Sequence, residues 1–445
     1  MGAASKYRGV RDAAARRLGF ALLTAATAVG ALPAAAAAQS GRLDLPVVAI
    51  DAPEGIVDEP KRTGTMRVFD RRYREVDSGR IGIEVRGQSS QNHPKKSYSI
   101  ETRSRSGENR NVSLLGMPKD DDWVLIGNYE DLSLLRNFIV YSTARWLGRY
   151  APRTRLVEVG VNGSYEGVYL LAEQLKVHES RVAVDDSDIS GGYLLEMTSK
   201  SRTEGEQFFT TPVEEQPVIY ADPNRDDLSH RRAAWIRRYV NRFERRLYGK
   251  RFRHRRRGYR RQLNVGAAVD YLLLNELFRN TDTFTYSTYM HKGVGEKLVL
   301  GPLWDFDQAI GRYYPEPDFN RREGWQYTTR FRQEKPGRGS PWAGRLYADP
   351  AFRRRMARRW RSLRRQRLKS HIMRTIDRGT RQLEGGPRER NASRWPPSKI
   401  PDDKRVADPR TGTPPADHAQ AVDYLKWWLR GRISWIDGNI DSLRP

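Results

Sequence analysis

From Leu43 to about Glu101, apolar and polar residues alternate in short runs: "LPVVAIDAP", "RIGIEVRGQSS" and "KKSYSIETRS". This period of two, bounded by the turn-forming stretches "DEPKRTG" and "VDSGR", predicts half-buried strands. After the loop "LLGMPKDDDWVLIGNYED" the spacing becomes helical in "LSLLRNFIVYSTARWLGRY", with Asp131 placed to cap the helix. Two further strands, "TRLVEVGVN" and "YEGVYLLAEQL", meet at Asn162-Gly163, a dipeptide suited to a tight hairpin because both residues tolerate positive φ. A short strand, "GGYLLEMTS", follows. From about Leu228 the pattern predicts helices over 228–248, 264–279, 348–385 and the closing "HAQAVDYLKWWLRGRISWIDGNIDSL". A strand pair, "STYMHK" and "KLVLGPLWDFD", lies between the second and third of these. Residues 386–416, dense in Pro and charge, read as a long loop, and there is no internal repeat. The order predicts an α+β fold, with a β-rich N-terminal lobe over 39–190 and a mostly helical C-terminal lobe over 191–445.

The first 38 residues stand apart. Arg8, Arg11, Arg16 and Arg17 precede the apolar run "LGFALLTAATAVGALPAAAAA", which ends in small residues. This is the pattern of a secretory signal peptide cleaved near Ala38, and it predicts an exported or cell-wall-associated bacterial protein without a stable membrane anchor. The chain has no cysteine, so export would require no disulfide formation, and thiolate catalysis and cysteine-ligated zinc are excluded. The formal charge is +26. Outside the cell, such a balance favours acidic wall polymer, anionic lipid or acidic protein over nucleic acid. Much of the excess lies in "RFERRLYGKRFRHRRRGYRRQL" and "FRRRMARRWRSLRRQRLK". Trp235, Ile236, Tyr239, Val240, Phe243 and Leu247 recur there at helical spacing, which makes the first stretch a basic amphipathic helix whose charged face is either simply solvated or a dedicated polyanion-binding face.

Candidate chemistry sits in three places. "RGQSSQNHPKKSYSIE" presents Arg86, Lys95 and Lys96 around a loop and at the start of a strand. "NELFRNTDTFTYSTYMHK" places Asp282 just after a helix. "GPLWDFDQAIG" puts Asp305 and Asp307 in an apolar, strand-like run, where they either cap a turn or hold a metal ion from a strand end. Phosphoryl transfer from a nucleotide needs cations for the phosphates, carboxylates for a divalent metal and a base for the acceptor hydroxyl. A strand-turn-strand unit separates Asp282 from Asp305, as a similar unit separates the catalytic and metal-binding aspartates of protein kinases. The chain has no GxGxxG and no His-Arg-Asp, which excludes an ordinary protein kinase. Seven scattered histidines with no HExxH argue against zinc hydrolysis.

Six ordered blocks, "VRGQSSQNHPKKSYSIE", "LLGMPKDDDWVLIGNYEDLSLLRN", "GVYLLAEQL", "GGYLLEM", "NELFRNTDTFTYSTYMHK" and "GPLWDFDQAIG", resemble the spore coat protein H (CotH) kinase family of atypical, often exported protein kinases. The resemblance runs from about Val47 to Leu443. It implies a bilobal kinase-like fold and an ATP-dependent, Mg²⁺- or Mn²⁺-dependent transfer to Ser or Thr of a surface or secreted protein. Asp282 falls at the family's catalytic position and Asp305 at its metal-binding position, with Asp307 as a second ligand. Arg86, Lys95 and Lys96 would contact phosphate, one lysine pointing inward. Glu173 would lie near the connection between lobes, and Arg136 and Asn137 would support the site. The alternative reading is a non-catalytic surface protein whose basic face binds acidic wall polymer or acidic protein.

Overall fold

The computed structural model describes residues 43–312, 320–328 and 342–443. The expected leader therefore lies outside the described residues. The alternating runs form seven strands: β1 (Val47–Asp51), β2 (Arg62–Phe69), β3 (Glu75–Arg86), β4 (Ser97–Arg103), β5 (Asp122–Ile126), β6 (Thr154–Val161) and β7 (Ser164–Glu173). They close into a barrel in the order β1-β2-β3-β4-β5-β7-β6, sealed by the parallel pairing of β1 with β6. Every second residue points inward, and these positions make the core: Val48 and Ile50, Met66 and Val68, Ile81 and Ile83, Tyr98 and Ile100, Trp123 and Leu125, Val157 and Val159, Tyr169 and Leu171. Asn162 and Gly163 take φ of 49° and 77° at the β6–β7 turn, the left-handed values a tight hairpin requires.

The chain divides into two compact units that cut across the expected lobes. The barrel unit comprises residues up to Tyr129, Arg155–Ala172 and Arg381–Pro396; the second comprises Glu130–Thr154, Glu173–Thr380 and residues from Pro397 onward. The expected loop at 386–416 contains a helix, Pro387–Arg394, and that helix belongs to the barrel unit. It is fastened there by side chains: Asn391 Oδ1 accepts from the Val168 amide at 3.0 Å, and Arg390 pairs with Glu158 at 2.7 Å and Asp44 at 3.1 Å. Gly167 makes this approach possible, since a Cβ there would lie 2.6 Å from Asn391 Oδ1.

The helical unit also holds more sheet than the sequence indicates. Strands β8 (Tyr193–Met197), β9 (Phe208–Thr210), β10 (Pro217–Asp222), β11 (Thr288–Lys292) and β12 (Val299–Leu300) form one sheet in the order β12-β11-β8-β10-β9. Among the described residues the helices in chain order are α1 (Arg136–Trp146), α2 (His230–Tyr248), α3 (Val265–Phe278), α4 (Ala343–Tyr347), α5 (Pro350–Arg365), α6 (Leu368–Leu383), α7 (the Pro387–Arg394 helix above) and α8 (His418–Asn439). The fold is α+β. Side-chain caps on backbone amides begin α2 at Ser229, α3 at Asn264, α5 at Asp349 and α8 at Asp417. The α3 helix is buried almost throughout. On α8, Arg432 is fully buried; its Nε and Nη2 donate to the Glu276 carbonyl, and it pairs with the Glu276 carboxylate at 3.4 Å. No helix among the described residues is long and apolar enough to cross a membrane.

Candidate active site

The site is built on α1, which is buried along nearly its whole length yet carries polar side chains. Burying a polar group without a partner costs a few kcal/mol, so each of these must be satisfied. Asp131 does this at the start of the helix. One oxygen accepts from the Arg136 amide at 3.1 Å, and the other takes the Ser133 hydroxyl and the Arg136 guanidinium. Burial opposes ionisation of Asp131, but the Arg136 charge and these hydrogen bonds outweigh it and hold the carboxyl below its ordinary range.

Three side chains of α1, Arg136, Asn137 and Tyr141, bond to a single segment, residues 305–310. Asn137 Oδ1 accepts from the Phe306 amide at 2.8 Å. The Tyr141 hydroxyl accepts from the Asp305 amide at 3.2 Å. Arg136 Nε donates to the Ala309 carbonyl at 2.9 Å, and Nη2 reaches the Ile310 carbonyl at 3.4 Å. From the other side, the Phe278 carbonyl accepts from the Ile310 amide at 2.8 Å. The aromatic flank adds packing: Trp304 stacks on Tyr141 at 5.9 Å, and Phe306 meets Phe278 edge-on at 6.3 Å.

This corrects the strand reading of "WDFD". The β12 strand stops at Leu300, and 301–306 run without regular structure. Asp305 has φ of 61°, a left-handed conformation uncommon for any residue but glycine, asparagine or aspartate. The segment is held by helix side chains in place of a ladder, which is why an apolar flank alone misleads.

Asp282 follows α3. Arg279 ends that helix in the left-handed conformation, and Asn280 Oδ1 accepts from the Asp282 amide at 3.2 Å. The structure brings Asp282, Asp305 and Asp307 into electrostatic contact within the helical unit. Burial, then the Asp307 charge, pushes the Asp282 carboxyl up to about 6, against an opposing pull from Arg202. Burial, then the Asp305 charge, pushes Asp307 up to about 7, with Arg312 opposing and Glu130 reinforcing. Ser287 Oγ lies 3.4 Å from Asp305 Oδ2. Neither Asp282 nor Asp307 makes an ion pair with a described residue. Asp131 is ion-paired and shifted down, whereas Asp282 and Asp307 are shifted up.

Such a set fits a divalent cation: hard carboxylate oxygens and a local excess of negative charge that Arg202 and Arg312 offset only in part. The oxygens of all three do not converge as a preformed cage. Among the described residues, the one set of three acidic groups with ligand atoms within 4.8 Å of one another is Asp120, Asp121 and Asp122, in the barrel unit. Asp305 and Asp307 could supply two carboxylate ligands to a divalent cation, which would need further ligands from outside this pair.

The expected cations lie in the barrel unit. Lys95 is the buried one of its pair: its Nζ donates to the Val168 carbonyl at 2.6 Å and to Asn391 Oδ1 at 2.8 Å, over the Tyr169 ring. Burial lowers it to about 7. Lys96 Nζ donates to the Gln91 carbonyl, and Arg86 closes β3 opposite Ser97. Glu173 is fully buried. Its oxygens accept from the Arg153 guanidinium and amide, each at 2.8 Å, and from the Tyr150 hydroxyl at 3.2 Å, which makes it a structural partner of Arg153. Sequence reasoning missed Tyr141, Arg312, Glu130 and Asn391. Tyr141 had a signal, its i+4 spacing from Asn137 on one helix face; Asn391, almost 300 residues from Lys95, had none.

A family model described as CotH kinase protein matches residues 83–436, most of the chain and all of the segments just described except the start of the barrel. No curated protein matches the chain. The chain belongs to the CotH kinase protein family.

Proposed function

We propose that this protein is a phosphotransferase that moves the γ-phosphoryl group of ATP to a Ser or Thr hydroxyl of a surface or secreted protein, with Mg²⁺ or Mn²⁺. The observation that carries the reading is Asp307, which is raised by the Asp305 charge and in turn raises Asp282, beside a backbone clamped by Arg136, Asn137 and Tyr141. Asp305 and Asp307 would hold the cation, which when bound neutralises phosphate oxygens and draws charge from the bond that breaks. Asp282 orients the acceptor hydroxyl. As the hydroxyl oxygen bonds to the γ-phosphorus, the bond to the β,γ-bridging oxygen breaks, ADP leaves, and Asp282 takes the hydroxyl proton. A carboxyl raised towards neutral pH suits that last step. The α1 clamp fixes Asp305 before substrate arrives, so the ligand pays no ordering cost.

The test is transfer of labelled phosphate from ATP in the presence of Mg²⁺ or Mn²⁺, to the protein itself and to added protein acceptors. Asp282→Ala and Asp305→Ala run alongside. Label on the parent that both variants lose supports the proposal. ATP binding that ignores divalent metal, with no label, overturns it and leaves the surface-binding alternative.

A further inference from the structure

We infer that the outer edge of β9 and the adjacent face of α2 form a docking site for an extended acidic segment of a partner protein, which adds to the sheet as a further strand.

On α2, Ile236, Val240, Phe243 and Leu247 are fully buried, and this fixes the rotation of the helix. Arg237, Arg238, Arg242 and Arg245 are then left exposed, and none of the four pairs with an acidic side chain among the described residues. Together with Phe208 and Thr210 they line one groove of about 540 Å³. Four unpaired cations along roughly 12 Å of helix, at about 1.5 Å per residue, repel one another and favour an anionic partner. The solvated-face reading of the sequence leaves this groove unexplained.

The strand beside it identifies the kind of anion. Among the described residues β9 is the last strand of its sheet and pairs only with β10. The Tyr220 amide donates to the Gln207 carbonyl and the Thr211 amide to the Gln216 carbonyl. These bonds bracket the Phe209–Val218 pair, so odd-numbered residues face β10 and the N–H and C=O groups of Phe208 and Thr210 face outward. An unpaired edge of this kind takes an added strand, and natural edges are commonly covered or blunted against it. Phe208 keeps 42% of its surface exposed, beside the arginines. An extended segment of about four residues spans roughly 13 Å, close to the length of the arginine row, and its alternate side chains share one face. A polypeptide with acidic residues at alternate positions satisfies both features. A wall polymer or polyphosphate would use the arginines and leave the edge idle.

The test is fluorescence anisotropy with the full chain and a labelled peptide of alternating Glu and Val. A second copy of the peptide is N-methylated at alternate backbone nitrogens. The parent should bind the unmodified peptide, weaken with salt, and lose roughly tenfold or more in affinity for the methylated peptide. Joint replacement of Arg237, Arg238, Arg242 and Arg245 by Gln should cause a comparable loss, and so should Thr210→Pro, which removes one outward donor while leaving the arginines in place. Equal affinity for both peptides would overturn strand addition and assign the face to polyanions in general. Unchanged binding by the glutamine variant would overturn the site. The readout is binding alone, so a protein without phosphotransferase activity would give the same result, and failure here would leave the Asp282 chemistry standing.

Discussion

Replacing Asp307 by Asn should stabilise the protein while abolishing the proposed phosphoryl transfer. The carboxyl is pushed from about 3.8 to about 7, first by burial and then by the Asp305 charge. That change corresponds to roughly 4 kcal/mol, at about 1.4 kcal/mol for each tenfold change in the proton equilibrium. Asp307 is half-buried, not sealed from water, and screening brings the expected gain nearer to about 2 kcal/mol. Because its value in the folded protein is raised, the favourable contribution of protonated Asp307 is complete below pH about 4 and is lost as pH rises through about 7. Parent and Asp307→Asn should therefore unfold at similar urea concentrations at the acid end of that window and diverge at its alkaline end, the variant being more stable. Millimolar Mg²⁺ should stabilise the parent at the alkaline end, since bound cation relieves the same repulsion, and should do less for Asp307→Asn. The measurement is urea unfolding across the window, with and without Mg²⁺, beside labelled-phosphate transfer. Parallel stability curves at every pH would refute the electrostatic argument. A variant that keeps full transfer would refute the ligand assignment.

Asn137→Ala removes the acceptor of the buried Phe306 amide and should cost about 1–3 kcal/mol in urea unfolding together with most of the transfer activity; Asn137→Asp, which keeps an acceptor, should retain more of both. Arg432→Met strands the buried Glu276 carboxylate and should cost about 3–5 kcal/mol, and adding Glu276→Gln should recover part of that loss in a double-mutant cycle. Lys95 should titrate near pH 7 in a lysine-selective NMR experiment, and a value near that of free lysine would refute its burial. Its folded value lies below its free value, so its destabilising effect grows as pH falls from about 10.5 towards about 7; relative to Lys95→Met, the parent should gain stability as pH rises through that range.

What the sequence reveals and what it hides divide along the range of the interactions. The apolar period of α2 and the Asn162-Gly163 turn depend on residues within a few positions, and both are where the pattern puts them. The α7 helix is not, because its place is set by Asn391, Arg390 and Trp395 bonding to β6 and β7 more than 200 residues earlier. The "WDFD" segment is a subtler case. Its apolar flank has the composition of a buried strand, but its backbone bonds go to side chains of α1, at a separation of over 160 residues. The local trace of that arrangement lies in α1 itself. A helix buried along nearly its whole length has no need of Arg136, Asn137 and Tyr141, and each is costly there unless a specific partner exists. Polar residues on a buried helix, three of them bound to one irregular stretch of backbone, mark the segment that must be held still. In this chain that segment carries Asp305 and Asp307, so the same residues that oppose a uniformly apolar core locate the carboxylates on which the proposed chemistry depends.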